Sequence, residues 1–251
     1  MTRDRPGARC WLAAALAYVG LTVLITWPVV PRMASALAGW EAKDSLQYAW
    51  NLWWAREAFV ELHQPVTEVT TLYYPLELEH PLLGITPFLD WIAIGFGGLL
   101  SPTLLYNLVL LTSFPLVGLA TFALVSDQMN NPLAAFLAGA IFCFHPSRMG
   151  HALAGHLTHM VSWPMLLYLV FLVRLWKRPD VKTAILCGIW LAISLQVAII
   201  QTAYFIAPVT IVVCLHQLPS LLQGFRCPRL RHLSHHPPGM RGRGFRARRR
   251  G

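Results

Sequence analysis

The chain has 251 residues, of which 56% are hydrophobic and 12% are charged. A soluble globular domain carries charge on about 25% of its residues, so the composition excludes that class and predicts an integral membrane protein. Nine arginines and no acidic residue lie in 226–251, whereas the preceding part carries equal numbers of basic and acidic residues. The folded part therefore offers no net basic charge to a nucleic acid, and no nucleic-acid partner is predicted.

The first apolar run covers 11–30 and follows three arginines, Arg3, Arg5 and Arg9. Twenty apolar residues are enough to cross about 30 Å of hydrocarbon as a helix, and they exceed the core of an ordinary signal peptide. The run predicts a first transmembrane helix with a cytoplasmic N-terminus. A cleaved signal peptide is the alternative, because the small residues of 34–38 resemble a signal-peptidase site.

Further apolar runs follow along the chain, at 103–125, 132–146, 161–176, 183–200 and 203–218. The run at 82–100 carries Asp90 at its centre and several glycines at its end, which predicts an interfacial or re-entrant helix rather than a span. Six spans place the basic cluster between Arg174 and Lys182 in the cytoplasm, as the positive-inside rule favours. If 132–146 does not cross, the orientation of everything downstream reverses.

These runs predict an all-α, polytopic transmembrane helix bundle in the inner (plasma) membrane, with the lipid bilayer as its first partner. The transmembrane module is predicted to cover 1–222. The segment 223–251 is rich in Arg, Gly and Pro and is predicted to be a disordered tail. Two polar loops, 31–82 and 145–162, then share the outer face, where any chemistry is expected.

The first outer loop is predicted to contain an amphipathic interfacial helix starting near Asp44. At 100° per residue, its apolar stripe consists of Leu46, Ala49, Trp50 and Trp53. Asp44, Gln47 and Asn51 cluster on another face. Asp44 fits a helix cap, with Gln47 completing a capping box. It equally fits a general base or a metal ligand for a polar acceptor at the membrane surface.

The second outer loop contains one arginine, Arg148, among four histidines, which are His145, His151, His156 and His159. A guanidinium binds phosphate in a bidentate manner, so Arg148 is predicted to bind a phosphate, with His151 or His156 donating hydrogen bonds. Histidines wetted by lipid headgroups are the alternative reading. The spacing of His151, His156 and His159 could also present ligands to a divalent metal, although no rigid ligand motif such as HExxH occurs. No metal ligand is assigned, and a divalent metal stays open as a cofactor.

Four segments resemble the N-terminal half of bacterial GT-C membrane glycosyltransferases over about residues 38–180. They read KDSLQYAWNLWW, LYYPLELEHPLLGITP, LLYNLVLLTSFPLVGLATFAL and LAGAIFCFHPSRMGHALAGHLTHMVSWPMLLYL. The resemblance implies an inverting transfer of sugar from a polyprenyl-phosphate carrier to an acceptor hydroxyl on the outer face. It implies Asp44 as the catalytic residue. Substrate binding is expected from Arg148, His151, His156, Gln47 and Asn51.

The members of that superfamily continue beyond a module of this size, so the chain is expected to be a shortened copy. A non-catalytic membrane fragment or assembly partner is therefore the alternative function. A small transporter is a further alternative, although transporters show inverted repeats that this sequence lacks.

Overall fold

The computed structural model describes residues 6–40, 44–69, 78–79, 86–129 and 131–226, with side chains described as far as residue 216 apart from those of 78–79. The chain separates into two compact units, one ending at Ile206 and one starting at Ala207. The architecture is an all-α helical bundle, which confirms the predicted fold class.

Within the described part of the first unit, the α-helices are, in chain order, α1 (Ala8–Ile25), α2 (Asp44–Arg56), α3 (Pro87–Phe96), α4 (Pro102–Ser126), α5 (Pro132–Phe144), α6 (Pro146–Ala154), α7 (Leu157–Met160), α8 (Trp163–Lys177), α9 (Val181–Val197) and α10 (Ile199–Gln201). Irregular helical turns occupy Val30–Arg32, Glu57–Glu61 and Thr202–Ile206. The two-residue strands β1 (Glu68–Val69) and β2 (Leu78–Glu79) pair antiparallel. In the second unit, α11 (Ala207–Arg226) extends past the predicted boundary at 222, and the rest of the predicted tail lies outside the described residues.

Four helical segments of the described chain are long and apolar enough to cross a membrane: Ala8–Ile25, Pro102–Ser126, Leu157–Lys177 and Ile199–His216. The predicted spans at 132–146 and 183–200 correspond to α5, with 13 residues, and α9, with 17. The helix predicted not to cross is α3, whose ten residues reach only about 15 Å. Asp90 lies in its first turn rather than at the centre of a span.

Small residues allow α1, α4 and α5 to pack closely. A Cβ at Gly118 would approach the Tyr18 ring at 2.9 Å, and one at Gly139 would lie 2.7 Å from the Gly118 carbonyl oxygen. The Tyr18 hydroxyl donates to the Phe136 carbonyl at 2.9 Å. Close approach at small residues is the usual way in which membrane helices associate, because lipid offers no hydrophobic driving force between them.

The ends of α4 and α8 lie at the same end of the bundle. Arg174 on α8 donates its Nε–H to Asp127 after α4 at 2.5 Å, and Lys177 donates to the Asp127 carbonyl at 2.7 Å. Because their C-terminal ends meet, α4 and α8 run in the same direction, so the chain between them must run back the other way. Helix α5 does this and packs antiparallel against α4. Its residue Cys143 donates to the Phe114 carbonyl at 2.7 Å. The loop 145–162 therefore lies away from this basic end.

One side chain of α4 fixes the segment that leads into α2. Asn107 is fully buried, donates to the carbonyls of Met33 and Ala36 at 2.8 and 2.7 Å, and accepts from the Ala38 N–H at 2.9 Å. A buried amide with its hydrogen bonds satisfied specifies one arrangement of the backbone it holds. The start of α2 is thereby positioned against the bundle.

The helix predicted to start near Asp44 is present as α2, which begins at Asp44. Its Leu46 and Trp53 are exposed, as a headgroup-facing stripe requires, while Ala49 is buried. Packing against the bundle uses a neighbouring face that includes Ser45 and Leu52. The LYYPLELEHPLLGITP segment quoted above lies largely outside the described residues.

Candidate functional site

A tight turn between α6 and α7 brings the start of α2 against the second polar loop. Gly155 ends α6 with φ of 77°, a left-handed conformation that a glycine adopts without strain. A Cβ at Gly155 would come within 2.9 Å of the Ser45 Cα, so the turn touches the α2 backbone. Nearby, the Trp40 N–H donates to the Leu153 carbonyl at 2.7 Å. These contacts bring Asp44 next to the histidines.

Asp44 and His156 lie within hydrogen-bonding distance at the surface of the site. The His156 Nε2 lies 3.2 Å from the Asp44 Oδ2, and the two side chains are 36% and 49% exposed. An Nε2–H that donates to the carboxylate leaves the Nδ1 of His156 as the acceptor on the other side of the ring. That Nδ1 lies 2.8 Å from the Nδ1 of His151. The three side chains form a chain of hydrogen bonds from α6 to α2.

His159 completes a group that we name the histidine cluster, formed by His151, His156 and His159. The His151 and His159 rings stack with centroids 4.3 Å apart, and the His156 ring lies 5.1 and 5.4 Å from these two. Burial lowers the pKa of His151, and the neighbouring His156 and Arg148 lower it further. His151 is therefore neutral at neutral pH, with an unprotonated ring nitrogen available.

A cleft of about 470 Å³ lies beside the histidine cluster. Its polar lining consists of Gln47, Tyr48, Asn51, Thr86, Thr158, His159 and Gln201, and the apolar wall comes from the segment 197–205. The Tyr48 hydroxyl lies 3.0 Å from the Thr158 hydroxyl. Burial raises the pKa of Tyr48, which keeps that hydroxyl protonated. The buried Oδ1 of Asn51 has no hydrogen-bond partner among the described residues.

Arg148 lies beneath the site rather than in the cleft lining. It is 4% exposed and donates to the Ser162 hydroxyl at 2.9 Å, the Met160 carbonyl at 2.6 Å, and both the hydroxyl and the carbonyl of Ser113. Its guanidinium carbon lies 5.4 Å from the centre of the Phe114 ring. Burial lowers the pKa of Arg148 to about 10, so it stays cationic at neutral pH. In this arrangement Arg148 joins α4, α6 and the start of α8, and its predicted role as a phosphate ligand stays a prediction.

Apart from Arg148, the predicted site residues fall into two groups. Asp44, His151 and His156 meet directly, and Gln47 and Asn51 line the cleft one and two turns along the same face of α2. Sequence reasoning missed Tyr48, although its spacing of four residues from Asp44 places it on that face. It also missed Thr86 and Thr158, which only the tertiary fold brings to the cleft.

Comparisons with protein-family models, with curated proteins and with solved structures find no match to this chain.

Proposed function

We propose that the chain is a membrane glycosyltransferase that moves a sugar from a polyprenyl-phosphate carrier to an acceptor hydroxyl on the outer face. One observation carries the proposal: the half-exposed Asp44 carboxylate stands on the same helix face as the polar residues that line the cleft. A carboxylate within reach of a bound hydroxyl is the group that a base-assisted sugar transfer requires.

The distribution of charge supports an outer location for this site. Arg9 lies in the first turn of α1, where Trp11 packs against Phe122 near the end of α4. Arg174 and Lys177 lie in the last turn of α8 at this same end, opposite the loop 145–162. Basic residues near helix ends favour the cytoplasm. The N-terminus and the basic end are then cytoplasmic, and the cleft faces outward from the inner membrane.

The two walls of the cleft suit the two parts of a lipid-linked sugar. Its polar side offers hydroxyl and amide groups to the hydroxyls of a sugar. Its apolar wall includes Ile200 and Phe205, which are 59% and 68% exposed on the protein surface. A polyprenyl chain lying in the bilayer packs against such side chains while the sugar enters the polar side.

The proposed reaction is a single displacement. Asp44 accepts the proton of the acceptor hydroxyl as that oxygen attacks the anomeric carbon. The bond from the anomeric carbon to the phosphate oxygen breaks, the carrier phosphate leaves with the electron pair, and the configuration inverts. His156 donates to Asp44 and so orients the carboxylate before it takes the proton.

The test uses membranes that contain the chain at matched expression together with a labelled polyprenyl-phosphate sugar pool. Removal of a general base typically costs 10²- to 10⁴-fold, so Asp44→Asn should lower sugar transfer by at least about 100-fold. Glu68→Gln is the matched control, because it makes the same carboxylate-to-amide change at an exposed position of the same loop. The control should retain the transfer rate of the unaltered chain.

Two outcomes contradict the proposal. Equal transfer with Asp44→Asn and with Glu68→Gln would remove Asp44 from the chemistry. No transfer by the unaltered chain above membranes that lack it would favour a non-catalytic membrane protein or assembly partner.

A further inference from the structure

The histidine cluster brings three imidazole rings together from two short helices. One ring nitrogen from each of His151, His156 and His159 can be chosen so that all three lie within 4.8 Å of one another. His156 caps the start of α7 and His159 lies three residues further along it, so both lie on one face, and the left-handed turn at Gly155 returns His151 to that face. The residues come from the loop itself, so the group is built locally.

These distances fit a cation bound by imidazole. Zn²⁺ binds histidine nitrogen at about 2.0–2.1 Å, so ligand nitrogens of a tetrahedral site lie about 3.3 Å apart. The Nδ1 atoms of His151 and His156 are 2.8 Å apart, slightly closer than that, and one nitrogen from each of the three rings can be chosen so that all separations are within 4.8 Å. Ring rotations that move nitrogen atoms by about 1.5 Å or less bring the three into ligand positions.

The hydrogen bond from His156 to Asp44 supplies the outer partner that such a ligand normally has. Metal-binding histidines donate their second ring N–H to a carboxylate or a carbonyl, which fixes the tautomer and aims the free nitrogen at the metal. His156 Nε2 faces Asp44 at 3.2 Å, and its Nδ1 faces His151. If the proton of His151 moves from Nδ1 to Nε2, the Nδ1 atoms of His151 and His156 are both unprotonated and can both bind a metal. This change of tautomer leaves the net charge the same.

We propose that His151, His156 and His159 bind a divalent transition-metal cation of the Zn²⁺ class, with Asp44 as the carboxylate that orients His156. Imidazole ligands suit Zn²⁺, Co²⁺ and Ni²⁺ rather than Mg²⁺ or Ca²⁺, which prefer oxygen. Three protein ligands leave a fourth position for water or a ligand oxygen, and His159 places that position beside the cleft. The inference rests on these contacts alone and does not depend on the proposed sugar transfer.

The test is metal binding by the full chain in detergent, purified without an oligohistidine tag and treated with a chelator. Zn²⁺ alone is added, and bound metal is counted after gel filtration. The unaltered chain should retain one equivalent. His159→Gln should lower the affinity at least tenfold, and because His159 is exposed its replacement should leave the elution profile unchanged. His63→Asn is the control, since His63 is exposed, distant in sequence from the cluster and tolerant of Asn at its φ of 54°.

A second measurement needs no variant. Zn²⁺ should protect His151, His156 and His159 from diethylpyrocarbonate while His63 continues to react, as followed by mass spectrometry. Co²⁺ should give the visible absorption of a tetrahedral nitrogen site without the thiolate charge-transfer band that binding at exposed Cys10 or Cys214 would produce. Failure of the unaltered chain to retain Zn²⁺, or equal retention by His159→Gln and His63→Asn, would overturn the proposal.

Discussion

At the scale of single residues, the site depends on one glycine. Asp44 and His156 belong to different loops, and they meet because Gly155 adopts a left-handed conformation directly against Ser45. The sequence singles out both residues as site candidates, because Asp44 lies in an amphipathic helix of the first loop and His156 is one of four histidines in the second. It contains no local signal for their pairing, because that pairing arises from packing across more than a hundred residues.

Gly155→Ala should destabilise the chain and separate the two loops. The left-handed conformation costs a residue with a Cβ about 1–2 kcal/mol, and the added methyl group also collides with the Ser45 backbone. We expect a lower midpoint of thermal unfolding in detergent. Gly150→Ala is the matched control within α6, where a Cβ meets nothing within 4 Å and where alanine should stabilise by about 0.5–1 kcal/mol. Equal midpoints for the two variants would contradict the role given to Gly155.

Arg148→Gln should lower stability in the absence of any ligand. The change removes charged hydrogen bonds to Ser162, Ser113 and Met160, and such bonds contribute about 1.5–3 kcal/mol each when their partners are left buried. Arg56→Gln is the comparison, because the Arg56–Glu61 pair is partly exposed and contributes at most about 1 kcal/mol. A variant of Arg148 that unfolds normally but binds the lipid-linked sugar poorly would instead support the phosphate-binding role.

At the scale of helices, the hydropathy of the sequence predicts the positions of the helices along the chain better than it predicts their packing. The runs at 103–125 and 161–176 appear as α4 and α8, and the run at 82–100 shortens to α3 because Pro87 begins the helix and glycines follow its end. The sequence left the crossing of 132–146 open, since that run is short for a span, and the helix it forms, α5, has 13 residues. The parallel arrangement of α4 and α8 settles the direction of α5 within the bundle, which no local pattern encodes.

Gly139→Ala should loosen the packing of α1, α4 and α5. The new methyl group would overlap the Tyr18 hydroxyl and lie 2.7 Å from the Gly118 carbonyl, so α1 and α5 must move apart. We expect a reduced yield of monodisperse protein and a lower unfolding midpoint. Gly188→Ala on α9 makes the same change where a Cβ meets nothing within 4 Å and should be tolerated. A Gly139→Ala variant as stable as Gly188→Ala would contradict the close packing.

At the scale of the whole molecule, the proposed function requires one end of the bundle to be basic and cytoplasmic and the other to hold the site. The Asp127–Arg174 pair and Lys177 mark the first end, and Asp44 with the histidine cluster marks the second. Composition alone indicates the membrane, because so few residues carry charge. The described parts of the loops 31–82 and 145–162 lie at the same end of the bundle only because α5 runs antiparallel to α4, and the sequence does not predict that packing.

Reporter fusions test this arrangement. A green fluorescent protein fused after Arg178 should fluoresce, and alkaline phosphatase at that position should be inactive, because the predicted topology has four crossings before it, in α1, α4, α5 and α8. Alkaline phosphatase fused after Gln64 should be active, because only α1 precedes it. Phosphatase activity after Arg178 would mean that α5 does not cross, and it would place the basic joint outside.

The most direct test of the central claim uses the purified chain and a defined polyprenyl-phosphate sugar with an acceptor alcohol. Released polyprenyl phosphate and glycosylated acceptor are counted together, which excludes other enzymes of the membrane. We expect equimolar formation of both by the unaltered chain and by Glu68→Gln, and a loss of at least about 100-fold with Asp44→Asn. Equal product formation with Asp44→Asn, or none with the unaltered chain, would contradict the proposed function.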